Sequence, residues 1–309
     1  MNKFQGNVSF SNLTTLQIGG PIYSYIEVFT ESELLEAIKY ARETDLRYLV
    51  IGGGSNLLVS DTSIEKLVIK NSLTGVVIKD DLVVVKAGTK LEDLIVFTIN
   101  SSFSGMSNLI GIPGTVGGAV YGNAGAYGQT ISDHLVSIKG LQGSQEVILN
   151  KNQCGFSYRD SEFKRNEIII TEVTFSLPKG DKDILQKESA AILKTRLGKY
   201  HPGIKCPGSF FKNILASELT PEQLIKIPSE KIIYGKIPAG YLLESVGAKG
   251  QRKGEIIIAP YHANLFINEG HGTAADFYNL AKTYQQKVKE KFNITLEPEV
   301  QIINLPPLG

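Results

Sequence analysis

The main chain is the first chemical group this sequence offers. Eight glycines fall within 24 residues (Gly105, Gly111, Gly114, Gly117, Gly118, Gly122, Gly125 and Gly128) in the run GMSNLIGIPGTVGGAVYGNAGAYG. A second cluster, Gly52-Gly53-Gly54-Ser55-Asn56, closes the apolar run 48–51. Glycine adds to the conformational entropy lost on folding, so this density implies a compensating use. Tight turns between short strands are one use. The other is close approach of backbone to a bulky ligand, with several N–H groups aimed at its phosphates. Two clusters in one chain, both short of charged side chains, favour an extended ligand held by main chain. Other nucleotide signatures are weaker. No GxxxxGK[ST] occurs, which excludes a P-loop. Gly270-His271-Gly272-Thr273-Ala274-Ala275 fits G-x-G-x-x-A between a strand and a helix. Only one β-α-β unit fits after it, however, where a mononucleotide-binding half needs three strands. A turn that starts a helix is the better reading. His134, His201, His262 and His271 are scattered, and Cys154 and Cys206 lack metal-ligand spacing, so no metal is expected.

The elements around these loops can be read from caps and periodicity. Thr30-Glu31-Ser32-Glu33 reads as a capping box before the stripe Leu34, Leu35, Ile38 and Ala41. That helix lies between strands at 23–29 and 48–51, so the first glycine loop follows a β-α-β unit. Thr89-Lys90-Leu91-Glu92 reads as a second box, after a β-branched strand at 82–87. Strands are expected at 135–140, 146–149 and 167–177. Pro178-Lys179-Gly180-Asp181 is a turn cluster that reads as a boundary. Beyond it, 183–197 is helical with Ile184, Leu185, Ala191 and Ile192 on one face, and Thr220-Pro221 starts a short helix. A strand at 263–268 leads to a helix at 273–292, and 301–304 closes as a strand. The fold class is α+β. The division is 1–180 (subdomains of about 1–72 and 73–180) followed by a smaller α+β domain, 181–309.

With 309 residues, 42% hydrophobic, 20% charged and a net charge of +1, the chain has no global field to recruit nucleic acid. Lys199, Lys205, Lys212, Lys249, Arg252 and Lys253 gather in the C-terminal part, as a solvated face or an anionic-substrate pocket. The start, MNKFQGNVSFSN, has no apolar h-region, and no later segment approaches about 18 apolar residues. Neither export nor membrane insertion is expected. Two cysteines make a poor disulfide framework, and a reducing cytoplasm fits best.

Seven segments carry a more specific message: LTTLQIGGP (13–21), IGGGSNLLVSD (51–61), GIPGTVGGAVYGNAGAYG (111–128), SYRDSEFK (157–164), GSFFKN (208–213), IPAGYLLESVGAKG (237–250) and LEPEV (296–300). In this order and spacing the chain resembles the UDP-N-acetylenolpyruvoylglucosamine reductase family, flavoenzymes of peptidoglycan precursor synthesis. IGGGSN and GIPGTVGGA alone indicate only the wider superfamily with this FAD-binding fold; GSFFKN and LEPEV narrow it. The resemblance implies a two-part FAD-binding region of the vanillyl-alcohol-oxidase/PCMH type, then a substrate domain. FAD would be held by Gly52, Gly53, Gly54, Ser55, Asn56 and Leu57, by Ile112, Pro113, Gly114, Thr115, Gly117, Gly118 and Ala119, and by Asn123, Ala124, Gly125 and Ala126.

In the family, NADPH reduces FAD, and hydride passes to C3 of the enolpyruvyl group of a UDP-sugar. Charge then builds on the enolate and carboxylate, and C2 must receive a proton. Arg159 matches the arginine that polarises the carboxylate, a task for a planar bidentate cation. Ser209 matches the serine that protonates C2, and Glu299 the glutamate that assists the same intermediate. Tyr158, Lys212 and Asn213 match substrate-binding positions. The resemblance thus implies FAD as bound cofactor, NADPH as donor, a UDP-sugar substrate, and a cytoplasmic monomer. Only 49 residues separate Arg159 from Ser209, as in the shorter variant lacking the substrate-covering tyrosine loop. Gln17 stands where many relatives have a basic residue, and Cys206-Pro207 where small residues are usual. The rival readings are another oxidoreductase on this FAD-binding fold and a catalytically silent nucleotide-sugar-binding relative. GSFFKN with LEPEV argues against the first, and the set Arg159, Ser209 and Glu299 against the second.

Overall fold

The computed structural model describes residues 8–308; residues 1–7, part of the segment read as lacking an export signal, lie outside the described residues. The chain packs as two compact units that do not follow chain order. One comprises Ile22–Gly54 and Glu65–Pro202; the other comprises Val8–Pro21, Ser55–Ile64 and the residues from 203 onward.

The first unit is built on two larger sheets. The smaller orders its strands Ile22–Val28, Ile64–Asn71, Tyr48–Ile51, with the last two parallel. Helix Glu31–Glu43 covers it with Leu34, Ala37, Ile38 and Ala41 fully buried against Ile26, Val28, Leu67 and Ile69. Each buried Leu or Ile there contributes about 1.5–3 kcal/mol. The Thr30 hydroxyl accepts from Glu33 N–H, as expected of the cap. The Glu33 carboxylate reaches one residue further back, to Phe29 N–H at 2.8 Å, so the box is offset.

The larger sheet is antiparallel, ordered Gln145–Asn150, Leu135–Gln142, Ile168–Phe175, Leu82–Lys86, Val76–Lys79. Helices Leu91–Asn100 and Val116–Tyr121 share its core with Val83, Val85, Ile138, Val173 and Phe175. The second capping box does not form. Lys90 occupies the cap position without a side-chain bond, because the Thr89 hydroxyl is engaged by both the N–H and the carbonyl of Gly75. Helix Lys182–Leu197 also differs from expectation: it buries Leu185 and Ser189, while Ile184 is half exposed.

The second unit is built on an aromatic cluster. Phe210 lies 4.7 Å from Phe211 and 5.0 Å from Phe277 between ring centroids, with Phe266 wedged beside them. Helix Ala274–Phe292 packs on a small antiparallel sheet of Arg252–Lys253, Ile256–Ile258 and Phe266–Asn268. A parallel pair joins Leu57–Val59 to Gln301–Ile303. The G-x-G-x-x-A segment is a helix-initiating turn. Thr273 accepts from Asp276 N–H, and the Asp61 carboxylate accepts from Ala274 N–H at 2.8 Å and Ala275 N–H at 3.3 Å. An anion from the chain itself sits where a dinucleotide phosphate would have to. No helix among the described residues is long and apolar enough to cross a membrane.

Candidate active site

The two glycine loops meet backbone to backbone in the first unit. A Cβ on Gly53 would stand 2.9 Å from the Gly114 Cα, and one on Gly52 would run into the Thr115 hydroxyl. Gly114 has φ +111°, a conformation L side chains rarely adopt. Thr115 then caps helix Val116–Tyr121, accepting from Gly118 N–H, while Gly117 N–H donates to the Ala87 carbonyl at 2.8 Å. Ala119 N–H and Ala124 N–H are likewise bonded within the chain, to Thr115 and Ala119 carbonyls. Gly117 has a packing reason too, since a Cβ would meet the Ala87 Cβ at 2.9 Å. Ile112 is partly buried against the core and Pro113 is exposed beside it. The loops therefore form a narrow main-chain cradle in which side chains cannot stand.

The NAGAYG segment follows helix Val116–Tyr121. Asn123 is buried with φ +43°; its Nδ2 donates to the Ser157 carbonyl at 2.7 Å, while its Oδ1 is buried without a hydrogen-bond partner among the described residues. A buried acceptor of this kind costs about 1–3 kcal/mol unless something donates to it. Gly125 and Ala126 pair with Thr130 and Gln129 in a short ladder. A main-chain cradle and an orphaned acceptor together fit a nucleotide cofactor with phosphates and N–H or O–H edges.

Arg159 is presented by a tight turn. Ser157 and Asp160 exchange both backbone hydrogen bonds, at 3.1 and 3.2 Å, around Tyr158-Arg159. Arg159 sits at φ +56°, where glycine or asparagine is usual. Its Nη2 donates to the Gly125 carbonyl at 2.6 Å, and its guanidinium carbon lies 5.4 Å from the Tyr158 ring centroid. Lys164 Nζ holds the Arg159 carbonyl at 2.7 Å. Strain of this sort persists only where surroundings over-determine it, and it concentrates at functional positions.

The segments that carry Ser209 and Glu299 pair in the second unit. Segments 209–212 and 297–299 run antiparallel: Phe211 bridges Pro298, Lys212 N–H donates to the Glu297 carbonyl at 2.9 Å, and Glu299 N–H donates to the Phe210 carbonyl at 2.7 Å. This register sets Glu299 opposite Phe210, the residue after Ser209. Gly208 precedes them at φ +90°, with open space around a would-be Cβ, so backbone shape rather than crowding requires glycine there. The Lys212 ammonium lies 3.1 Å from the Glu297 carboxylate. The Asn213 side-chain oxygen accepts from Ala239 N–H at 3.1 Å, starting helix Ala239–Glu244 in place of a cap from Pro238. Of the basic residues gathered near the C-terminus, Lys249 and Arg252 are also paired with carboxylates, Glu244 and Glu269.

Comparison with known proteins bears directly on this arrangement. Residues 24–148 match the FAD binding domain family, and residues 201–303 match the UDP-N-acetylenolpyruvoylglucosamine reductase, C-terminal domain. A UDP-N-acetylenolpyruvoylglucosamine reductase of Solibacter usitatus is 41% identical over 94% of this chain and 93% of its own length. The chain belongs to the UDP-N-acetylenolpyruvoylglucosamine reductase family. A reductase of the same description from Thermotoga maritima is 34% identical over 94% of the chain and 95% of its own. The crystal structure of UDP-N-acetylenolpyruvylglucosamine reductase from Thermus caldophilus superimposes with a TM-score of 0.77 at 29% identity, covering 97% of this chain and 99% of that one.

Two residues of this reductase were not foreseen in the sequence. Asn264, 2% exposed, clamps the segment that follows Ser209: its Oδ1 accepts from Phe211 N–H at 2.9 Å and its Nδ2 donates to the Phe211 carbonyl at 2.8 Å. Arg196, near the end of helix Lys182–Leu197, lies over Gly111, whose Cβ would meet Arg196 Nε at 3.3 Å. That Nε is buried without a partner among the described residues. Burial, with the like charge of Arg159, holds the Arg196 pKa below the usual guanidinium value against the pull of Tyr200 and Tyr127. Both thiols are buried and outside any disulfide, and burial pushes Cys154 up to about 11. Among the described residues no group of His, Cys, Asp and Glu could hold a metal ion.

Proposed function

We propose that this chain catalyses the FAD-dependent, NADPH-dependent reduction of UDP-N-acetylglucosamine enolpyruvate to UDP-N-acetylmuramate in peptidoglycan precursor synthesis, with Arg159, Ser209 and Glu299 as its catalytic residues. The observation that carries the assignment is the pairing of GSFFKN with LEPEV, which holds Ser209 and Glu299 on adjacent backbone over a rigid aromatic base. Family membership supplies the reaction.

The cofactor residues are those of the three glycine-rich segments. Since Gly117, Gly118 and Ala119 direct their N–H groups into the chain, the donors toward the pyrophosphate are assigned to Gly53, Gly54, Gly114 and Thr115, and the Asn123 Oδ1 to a cofactor or substrate hydrogen. When bound, FAD reduced by NADPH supplies hydride to C3 of the enolpyruvyl group. Arg159 binds the substrate carboxylate and draws developing negative charge toward its planar fork. Ser209 Oγ delivers the proton to C2. An ordinary hydroxyl is far too weak an acid for this at neutral pH, so the resulting alkoxide needs donors, a role assigned to Lys212 and Asn213. Glu299 assists the same intermediate, and Tyr158 packs beside the carboxylate. Flavin binding falls within residues 1–180, and the proton chemistry of Ser209 and Glu299 within 181–309. The enzyme acts on small molecules as a cytoplasmic monomer.

Replacing Ser209 by Ala tests the roles. NADPH should still bleach the flavin at near wild-type rate, while reoxidation by the enolpyruvyl substrate slows about 10²–10⁴-fold, the range of a lost general acid. Equal slowing of both steps would give Ser209 a binding or folding role and remove the assignment.

A further inference from the structure

Asn56, the last residue of the IGGGSN loop, is bonded to the backbone of Glu299. Its Nδ2 donates to the Glu299 carbonyl at 3.1 Å, across 243 positions of sequence. Its own carbonyl accepts from Gln301 N–H at 3.0 Å, opening the parallel pairing of Leu57–Val59 with Gln301–Ile303. The Glu299 peptide is therefore fixed on both sides. Its N–H is held by Phe210, the neighbour of Ser209, and its carbonyl by the residue that ends the cofactor loop, with a longer bond from the Gln301 side-chain amide at 3.4 Å. We propose that Asn56 is a positioning residue, whose side-chain amide sets the placement of Glu299 for the substrate step, a proposal that rests on the catalytic reading of Glu299.

The amide is required by type. A carbonyl acceptor must face an N–H donor, so an aspartate of the same shape would set acceptor against acceptor. Alanine would leave the rung beyond the strand end unmade. Neither change touches the Glu299 carboxyl, which is what separates positioning from chemistry. A displacement of about 1 Å at a reacting group is enough to cost on the order of 10²-fold in rate.

The test uses the FAD-loaded full chain and separates the half-reactions by anaerobic stopped flow. With its side-chain amide engaged by Glu299, Asn56 faces the cofactor only through main chain, which both variants keep. Asn56→Ala and Asn56→Asp are therefore expected to be bleached by NADPH within about threefold of the wild-type rate and to reoxidise with the enolpyruvyl substrate about 10–10²-fold more slowly. In a Glu299→Gln background the Asn56 change should add less than about threefold, because a displaced residue that no longer functions has little left to lose. The proposal is overturned by wild-type reoxidation in both Asn56 variants, by full multiplicativity with Glu299→Gln, or by variants that cannot be loaded at saturating FAD, which would place the role of Asn56 on the cofactor. Wild-type reoxidation by Glu299→Gln alone would sink the role of Glu299 and the proposal with it. A slow Glu299→Gln beside fast Asn56 variants would sink the proposal only.

Discussion

Replacing Asn264 by Leu removes two hydrogen bonds while nearly preserving volume. Phe211 is 1% exposed, so its N–H and carbonyl, now satisfied at 2.9 and 2.8 Å by the Asn264 amide, would be left unpaired away from water. Each orphaned group costs about 1–3 kcal/mol, so the pair predicts a loss of about 2–6 kcal/mol. Folded proteins have only about 5–15 kcal/mol in total, so this is a large fraction. Asn264→Asp keeps the acceptor for Phe211 N–H but opposes the Phe211 carbonyl with a carboxylate, so it should also destabilise. Urea unfolding of FAD-saturated protein, followed by far-ultraviolet circular dichroism, reads the change as a lower midpoint. In the folded fraction, substrate reoxidation should slow while NADPH reduction is spared, because Ser209 lies two residues from Phe211 on the same clamped segment. A loss below about 0.5 kcal/mol for Asn264→Leu, the range of ordinary surface changes, would refute the reasoning.

Gly53→Val should yield folded, colourless protein, since a side chain there collides with the Gly114 backbone in the cradle; retained yellow colour would contradict it. Glu31 bridges Lys86 at 2.7 Å and Lys139 at 3.2 Å, and its pKa is lowered chiefly by the Lys86 hydrogen bond, against its burial. A depressed carboxylate stabilises above its unfolded pKa and stops doing so as pH falls through the folded value, so the urea midpoint should drop below about pH 4. Lys86→Met should flatten that acid slope, and an unchanged slope would count against the network. Arg159→Lys and Glu299→Gln should each slow substrate reoxidation with FAD intact, and the double variant should be much less impaired than the product of the singles. Strict multiplicativity would mean that the two act at independent places.

The helix Glu31–Glu43 was legible because its information is local: a cap at Thr30 and a stripe at helical period. The strand Ile168–Phe175 was legible from its β-branched run. Thr89 shows the limit of such reading, since a distant partner, Gly75, claimed the hydroxyl that the local pattern assigned to a helix. The strand Ile64–Asn71 went unread; it lies between two others, so its burial runs almost continuously and lacks clean alternation. Nothing local joins Leu57–Val59 to Gln301–Ile303, and so nothing in the sequence pattern puts residues 55–64 in the same compact unit as the C-terminal part. The glycine density pointed to close main-chain approach, which Gly53 and Gly114 make. Arg159, Ser209 and Glu299 came only through family likeness, because the Arg159 guanidinium is held by Gly125 and the register at Ser209 is set by residues 297–299, partners far away in sequence. Asn264 stayed hidden, and Asn56 was read only as a cofactor-loop residue, for the same reason: each side chain bonds backbone far away in sequence, and an asparagine advertises no such partner.

The central claim is that this chain passes reducing equivalents from NADPH to an enolpyruvyl UDP-sugar through bound FAD. The most direct measurement is a spectrum of the purified protein under anaerobic conditions, before and after each substrate in turn. A yellow protein is expected to bleach with NADPH, stay bleached with UDP-N-acetylglucosamine, and recover its colour with UDP-N-acetylglucosamine enolpyruvate, with one UDP-N-acetylmuramate formed per flavin reoxidised. A protein that cannot be loaded with FAD, or whose reduced flavin is indifferent to the enolpyruvyl substrate, would contradict the account.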